Sequence, residues 1–355
     1  ARLEKIMRER FALSACWDDA GMADRIIALP ITSIADPKLG LASDADWQRL
    51  REKVGTVVHL AARVAFWDEY AEARSANVLG TLEILRFCCA PSGGVRPFLH
   101  YASTLSVFGA LPGECSEGSS IGKTAALSGV VGSEGYSQSK WVGEKLVVKA
   151  SASLSIPAAI HRIGYVSFST KTGVANRNGW FHKLLVGCAR AGYAPPMGGR
   201  RVNIAPVDHL GEALTNLVVW HRRGPQAGER QHQQQLYMYH LMNCHGSTPM
   251  AQVFDTVLSS AVVMSETHAK WAEQLNTACE VDDANPLFTL RQWFANSLPE
   301  VGSFTSQVTA ARLREIGGGG GGVEGDGRVP LVDCEIGDRA LERHALWLRR
   351  ESLII

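Results

Sequence analysis

The chain has 355 residues, 46% hydrophobic and 20% charged, which is room for one large α/β domain with a smaller appendage. Its formal net charge of +1 creates no long-range field, so neither nucleic acid nor an anionic membrane is expected as a partner. No apolar run reaches the roughly 18 residues of a membrane span, and the eight cysteines form no C-x-x-C pair and no finger spacing with histidine, so reduced buried thiols, a cytoplasmic setting and no metal are expected.

The first residues, A-R-L-E-K-I-M-R-E-R-F, are charged and helical in pattern, with no initiator Met and no leader character. They read like the middle of a helix, and the chain is expected to begin inside a larger protein. T-V-V-H-L-A-A (56–62) is a β-branched run ending in small residues. Residues 71–88 carry helical periodicity, R-P-F-L-H-Y-A-S-T (96–104) is a second strand, 136–150 is helical, and I-P-A-A-I-H-R-I-G (156–164) is a third strand. This alternation with buried-type strands predicts an α/β fold with a doubly wound parallel sheet.

Beyond 165 the pattern loosens. Residues 178–190 are helical. A helix is expected from 206, with Pro206 before it and Asp208 as its cap. Residues 222–235 form a polar connector, L-Y-M-Y-H-L-M-N-C (236–244) returns as a strand, and the remainder is mostly helical, closing on an amphipathic helix. Gly317 to Gly322, continued by V-E-G-D-G, is expected to be a flexible loop. It lacks the strand, Lys and Ser/Thr of a phosphate loop.

Tyr136 and Lys140 lie four apart in a helix, hence on one face. Such pairs also arise by chance in many helices. Carbonyl reduction uses them: a phenol protonates the oxygen on which charge builds as hydride arrives. An ammonium about 5 Å from the phenol is worth roughly 3 kcal/mol at an effective dielectric of about 20, which would lower the phenol's pKa by about two units. Y-A-S-T-L-S-V-F-G (101–109) places Ser103 and Thr104 at the carboxyl end of a parallel strand, where ligands bind in such sheets; Thr104 is the candidate to hold the substrate oxygen. H-L-A-A-R-V (59–64) ends a strand in small residues that suit a flat cofactor. Asn77 is a polar residue in an apolar helical stripe, placed either to hold backbone near the site or at the surface.

Together V-V-H-L-A-A (57–62), A-N-V-L-G-T-L-E-I-L-R (76–86), Y-A-S-T-L-S-V-F-G (101–109) and G-Y-S-Q-S-K-W-V-G-E-K-L (135–146) resemble the extended short-chain dehydrogenase/reductase superfamily. D-P-K-L-G-L (36–41), and L-Y-M-Y-H-L-M-N-C followed by a helix and Trp271, narrow the resemblance to thioester reductase domains. These occur in non-ribosomal peptide synthetases, polyketide synthases, α-aminoadipate reductase and carboxylic acid reductases. The resemblance implies a Rossmann-like NADP-binding domain, with a smaller, mainly helical substrate subdomain. It implies NADPH-dependent release of an acyl thioester, carried on the phosphopantetheine arm of a carrier domain, as an aldehyde or alcohol. The implied catalytic residues are Thr104, Tyr136 and Lys140. The implied cofactor residues are His59, Ala61, Ala62, Asn77, Tyr136 and Lys140, with main-chain groups of Gly164 and Val166 beside the nicotinamide.

Two departures stand out. The family opens with a strand and a T-G-x-x-G-x-x-G turn that cradles pyrophosphate at a helix N-terminus; nothing here matches it, and the first strand–glycine loop–helix unit is expected to be missing. Thr32 and Ser33 stand where the family usually has Gly-Asp, the Asp facing adenine; Ile163 replaces a common proline. The expected division is a truncated cofactor domain over 1–225, with 168–200 contributing to the substrate side, and a substrate subdomain over 226–355 with its glycine-rich loop at 317–327. The alternatives are a fatty acyl-CoA reductase or another extended short-chain reductase, with a sugar epimerase less suited to the 236–355 extension. A degenerate module that only docks a carrier protein is the alternative of another class.

Overall fold

The computed structural model describes residues 2–5, 7–8, 23–65, 68–89, 96–109, 114–119, 135–223, 236–294, 304–318 and 329–354. Four strands form the main sheet: β1 (Thr56–His59), β2 (Phe98–Thr104), β3 (Ala158–Ile163) and β6 (Leu236–Leu241), in the order β1-β2-β3-β6. All three pairings are parallel, with Thr56 opposite Phe98, Thr104 opposite Ile163 and Ile163 opposite Leu241. β3 is buried along almost its whole length, as a strand covered on both faces must be.

Helices cover both faces. On one lies a continuous helical run, α2, made of α-helical Tyr70–Arg74, π-helical Ser75–Leu79 and α-helical Gly80–Cys89. Beside it lies α3 (Gly135–Leu154). Ile84, Leu85, Phe87, Val147 and Ile156 pack there with Leu99, Tyr101 and Ile160 of the strands. On the other face α5 (Val207–Arg223) and α8 (Gln307–Gly318) bring Leu210, Leu217 and Leu313 onto Ala159, Tyr239 and Leu241. The sheet is therefore doubly wound. Among the described residues no glycine-rich strand–turn–helix unit precedes β1.

The second core is helical. α4 (Trp180–Ala191), α6 (Met250–Leu258), α7 (His268–Val281) and α9 (Asp338–Arg350) enclose Leu184, Leu185, Phe254, Trp271, Leu341 and Leu348. It is tied to the sheet by β4 (Tyr165–Ser167), which leaves β3 after one residue and pairs in parallel with β5 (Ile204–Pro206). β6 belongs to the main sheet although it falls within 226–355, so the sheet draws on both sides of position 225.

Asp208 does not act as the expected cap. Its carboxylate accepts hydrogen bonds from the amide (3.1 Å) and hydroxyl (2.7 Å) of Thr170, pinning the turn after β4. Of the connector, 224–235 lies outside the described residues. Of the glycine-rich loop, Gly317 and Gly318 close α8 and 319–328 lies outside them. The seven cysteines within the described residues are free thiols, as expected; Cys16 lies outside them.

Candidate active site

Thr104 is the last residue of β2, at the carboxyl edge of the sheet, and its hydroxyl caps the single turn Leu105–Phe108 by accepting from the Ser106 amide at 3.2 Å. Tyr136 lies in the first turn of α3, with the Thr104 hydroxyl near enough to ease the ionisation of its phenol. The helix start comes this close because Gly135 has no side chain: a Cβ there would fall onto the backbone of Asp68, Glu69 and Tyr70. One turn along, Lys140 is 3% exposed, with its ammonium 4.3 Å from the centre of the Tyr101 ring. Gly143 permits that arrangement, since a Cβ would strike the Tyr101 hydroxyl.

The electrostatics reverse one expectation. The Tyr136 phenol is not lowered; burial pushes it up to about 12, and the nearby Thr104 hydroxyl only partly opposes this. Lys140 faces the Tyr101 ring, a cation–π contact. Burial lowers its own pKa to about 8, against the pull of the Glu144 carboxylate one turn further. The phenol therefore keeps its proton throughout the neutral range, while the lysine sits close to losing its own.

Asn77, 1% exposed, lies in the π turn of α2; such turns are often found at functional sites. Its Oδ1 accepts from the Arg63 amide (2.8 Å), and its Nδ2 donates to the Arg63 carbonyl (3.0 Å) and to Ser139 Oγ (2.8 Å). Ser139 in turn donates to the Tyr136 carbonyl at 2.7 Å. Asn77 thus fixes the backbone after β1 against the first turn of α3.

The other expected cofactor residues divide. His59 is 3% exposed, with Nε2 3.2 Å from Thr81 Oγ1, and burial with the neighbouring Lys140 charge lowers its pKa to about 4. It is a neutral, buried residue at the end of β1. Ala61 is exposed and Ala62 half-buried, between Leu60 (57% exposed) and Val64 (60%). The Gly164 amide donates to the Leu241 carbonyl at 2.9 Å, so it serves the sheet and cannot donate to a carboxamide. Val166, 46% exposed, presents an apolar surface on β4.

Sequence reasoning missed the charges beneath the site. Arg162 and Glu144, 1% and 0% exposed in their side chains, form a buried ion pair. Arg162 Nε donates to both carboxylate oxygens (3.1 and 3.3 Å) and its terminal nitrogen to Oε2 (3.1 Å). The guanidinium also stacks on Phe108, 4.6 Å from the ring centre, and reaches His240 Nε2 at 3.4 Å. His240's amide donates to Thr309 Oγ1, and the Thr309 amide donates to the Glu117 carboxylate. This network joins α3 to α8. Its signals were an arginine in the apolar run A-A-I-H-R-I and a glutamate four after Lys140, which no local pattern pairs.

The P-K-L-G segment makes a strained turn. Lys38, Leu39 and Gly40 have φ of 58°, 59° and 67°, so two non-glycine residues stand in the left-handed region, at a cost of order 1 kcal/mol each. Thr32 and Ser33 close this turn: the Thr32 amide donates to the Gly40 carbonyl, and its hydroxyl to Asp36.

Residues 1–214 match the family model NAD_binding_4, described as male sterility protein. Glycine betaine reductase ATRR of Emericella nidulans is 36% identical over 203 residues, 57% of this chain and 15% of that protein. The chain spans between 4% and 23% of the length of the curated relatives it matches. Among solved structures, the terminal R domain from the myxalamid PKS-NRPS biosynthetic pathway aligns with a TM-score of 0.76 at 27% identity, covering 100% of this chain and 82% of that one. A thiolation-reductase di-domain from an archaeal non-ribosomal peptide synthetase aligns with a TM-score of 0.66 at 16% identity, covering 97% and 67%.

Proposed function

The chain belongs to the NAD_binding_4 (male sterility protein) family, and from that premise we propose that it is a reductase domain releasing a carrier-bound acyl thioester as an aldehyde, with NADPH as reductant. The observation that carries the reading is the placing of Thr104, at the carboxyl edge of a parallel sheet, beside Tyr136, with buried Lys140 one turn along the same helix. Ligands of open α/β sheets bind at that edge.

The residues fit the nicotinamide–ribose half of such a cofactor. Leu60, Val64 and Val166 leave apolar surface exposed at the ends of β1 and β3. Lys140, whose ammonium lies over the Tyr101 ring and forms no ion pair among the described residues, is the proposed donor to the ribose hydroxyls. Ala61 and Ala62 let a flat ring approach, and Asn77 holds their backbone in place. The nucleotide, when bound, supplies hydride to the thioester carbonyl carbon.

Thr104 orients the carbonyl oxygen, and Tyr136 gives it a proton as negative charge develops. A phenol held near 12 arrives at that step protonated, and the pull of a nearby ammonium acts on the developing phenolate. The product is a thiohemiacetal. Its hydroxyl loses a proton, the C–S bond breaks, the thiol leaves on the pantetheine arm, and the aldehyde is released. A carrier domain is the proposed donor, a reading supported by the thiolation-reductase arrangement of one structural relative.

The test is Tyr136→Phe in the full-length protein, assayed for aldehyde from an acyl-pantetheine thioester. Loss of the general acid is expected to slow release by at least about a hundredfold. Unchanged turnover would end the proposal.

A further inference from the structure

Next to the candidate active site lies a small cavity that the catalytic reading does not use. It is bounded by β4, the turn leading into α4, α4 itself and α9, and is lined by Val166, Ser167, Phe168, Asn176, His182 and His344, among others. Its interior space is about 20 Å³, room for one water-sized group.

Two of its lining residues carry a buried polar atom with no partner. Ser167 is 7% exposed and His182 6%, and neither Ser167 Oγ nor His182 Nδ1 makes a hydrogen bond. His344 shares the wall but is satisfied: its Nδ1 bonds the Gly173 carbonyl at 2.6 Å, and its ring stacks on Phe168 at 4.4 Å. A buried polar atom left unpaired costs about 1–3 kcal/mol. Two on residues lining one cavity mark a place built for a hydrogen-bonding group.

The chemistry narrows that group. Burial, reinforced by neighbouring His344, Arg177 and Lys183, lowers the His182 pKa to about 4, so its imidazole is neutral at physiological pH. No carboxylate lines the cavity. Beside a neutral imidazole nitrogen and a serine hydroxyl, one water-sized neutral group able to accept from Ser167 and donate to His182 is a hydroxyl.

The position gives it a use. Val166 and Asn176 at the rim are exposed, so the cavity opens outward. Ser167 lies four residues beyond Ile163, which is opposite Thr104 in the sheet. At about 3.3 Å per residue, the cavity is at most about 13 Å along the chain from that register. An extended acyl chain whose carbonyl sits at Thr104 spans that distance in at most about ten carbons.

We propose that Ser167 and His182 form a selectivity subsite that takes one hydroxyl of the acyl chain. This rests on the thioester-reductase reading above and adds a substrate class to it: acyl groups bearing a hydroxyl within about ten carbons of the thioester.

The experiment uses the full-length protein, NADPH and a set of acyl-pantetheine thioesters. The set contains a straight-chain parent and its isomers hydroxylated at successive carbons. The readout is the ratio of kcat/KM for each polar substrate to that for the parent. This ratio does not depend on the fraction of enzyme folded, so a poorly folding variant remains informative. At least one polar isomer is expected to exceed the parent by about tenfold or more, on the scale that an unpaired buried polar pair imposes. Ser167→Ala and His182→Phe are each expected to bring that ratio close to one. Equal rates for parent and all polar substrates, or a preference that both variants keep, would overturn the subsite and reduce the cavity to a trapped water. Aldehyde formed from none of the thioesters would overturn the reductase reading, and the subsite with it.

Discussion

Replacing Glu144 with Gln tests the buried charges under the catalytic helix. The carboxylate is fully buried, and three N–H···O contacts of 3.1–3.3 Å join it to Arg162. Gln keeps the shape but removes the charge, leaving a guanidinium 1% exposed that faces the neutral Gln amide, the Glu117 carbonyl, His240 and the Phe108 ring without its paired carboxylate. Breaking a buried pair from one side costs about 3–5 kcal/mol, whereas replacing both partners with apolar residues is often nearly neutral. Glu144→Gln is therefore expected to lose about 3 kcal/mol or more in urea unfolding, and Glu144→Gln combined with Arg162→Met to recover most of it. The double variant should also move the pKa of Lys140 further down, because Glu144 no longer raises it. A single variant costing under about 1 kcal/mol, or a double variant worse than the single, would refute the reasoning.

Lys140→Met is expected to stabilise the fold at pH 7 while abolishing activity. The drop from 10.5 to about 8 corresponds to roughly 3 kcal/mol against the buried ammonium. The sign follows from proton uptake: above pH 8 the unfolded chain holds more protons than the folded one, so wild-type stability rises with pH between about 8 and 10.5 and the advantage of the variant fades. Paired denaturation curves across that window check it. Asn77→Leu removes hydrogen bonds to both Arg63 backbone groups and to Ser139, and an expected loss of about 2–4 kcal/mol is read by thermal or chemical unfolding. Gly135→Ala places a methyl on the backbone of Asp68–Tyr70. It should cost at least about 2 kcal/mol and reduce kcat beyond the loss of folded protein, measured against active-site titration.

The sheet was legible because buried parallel strands read as short apolar runs; β1, β2, β3 and β6 each fall inside the runs that announced them. Thr104 and Tyr136 were legible because a strand end and a helix start are local features. What failed to show was interaction at long sequence range. Glu144 and Arg162 are 18 residues apart, and neither run suggests a partner. Asp208 has the composition of a cap but is drawn 38 residues back to Thr170. The rise of the Tyr136 pKa was missed for an energetic reason: spacing reveals a nearby charge, while desolvation depends on packing that only the fold supplies. The partner of the Gly164 amide was hidden in the same way, since it is Leu241 on a strand some 77 residues further on.

The most direct test of the central claim follows the hydride. The full-length protein is incubated with an acyl-pantetheine thioester and NADPH deuterated at the transferable position of the nicotinamide, and the product is read by mass spectrometry. The expected result is an aldehyde with one deuterium at its carbonyl carbon, formed with free pantetheine thiol and lost in Tyr136→Phe. An unlabelled carboxylic acid or cyclised product, formed at the same rate without NADPH, would contradict it.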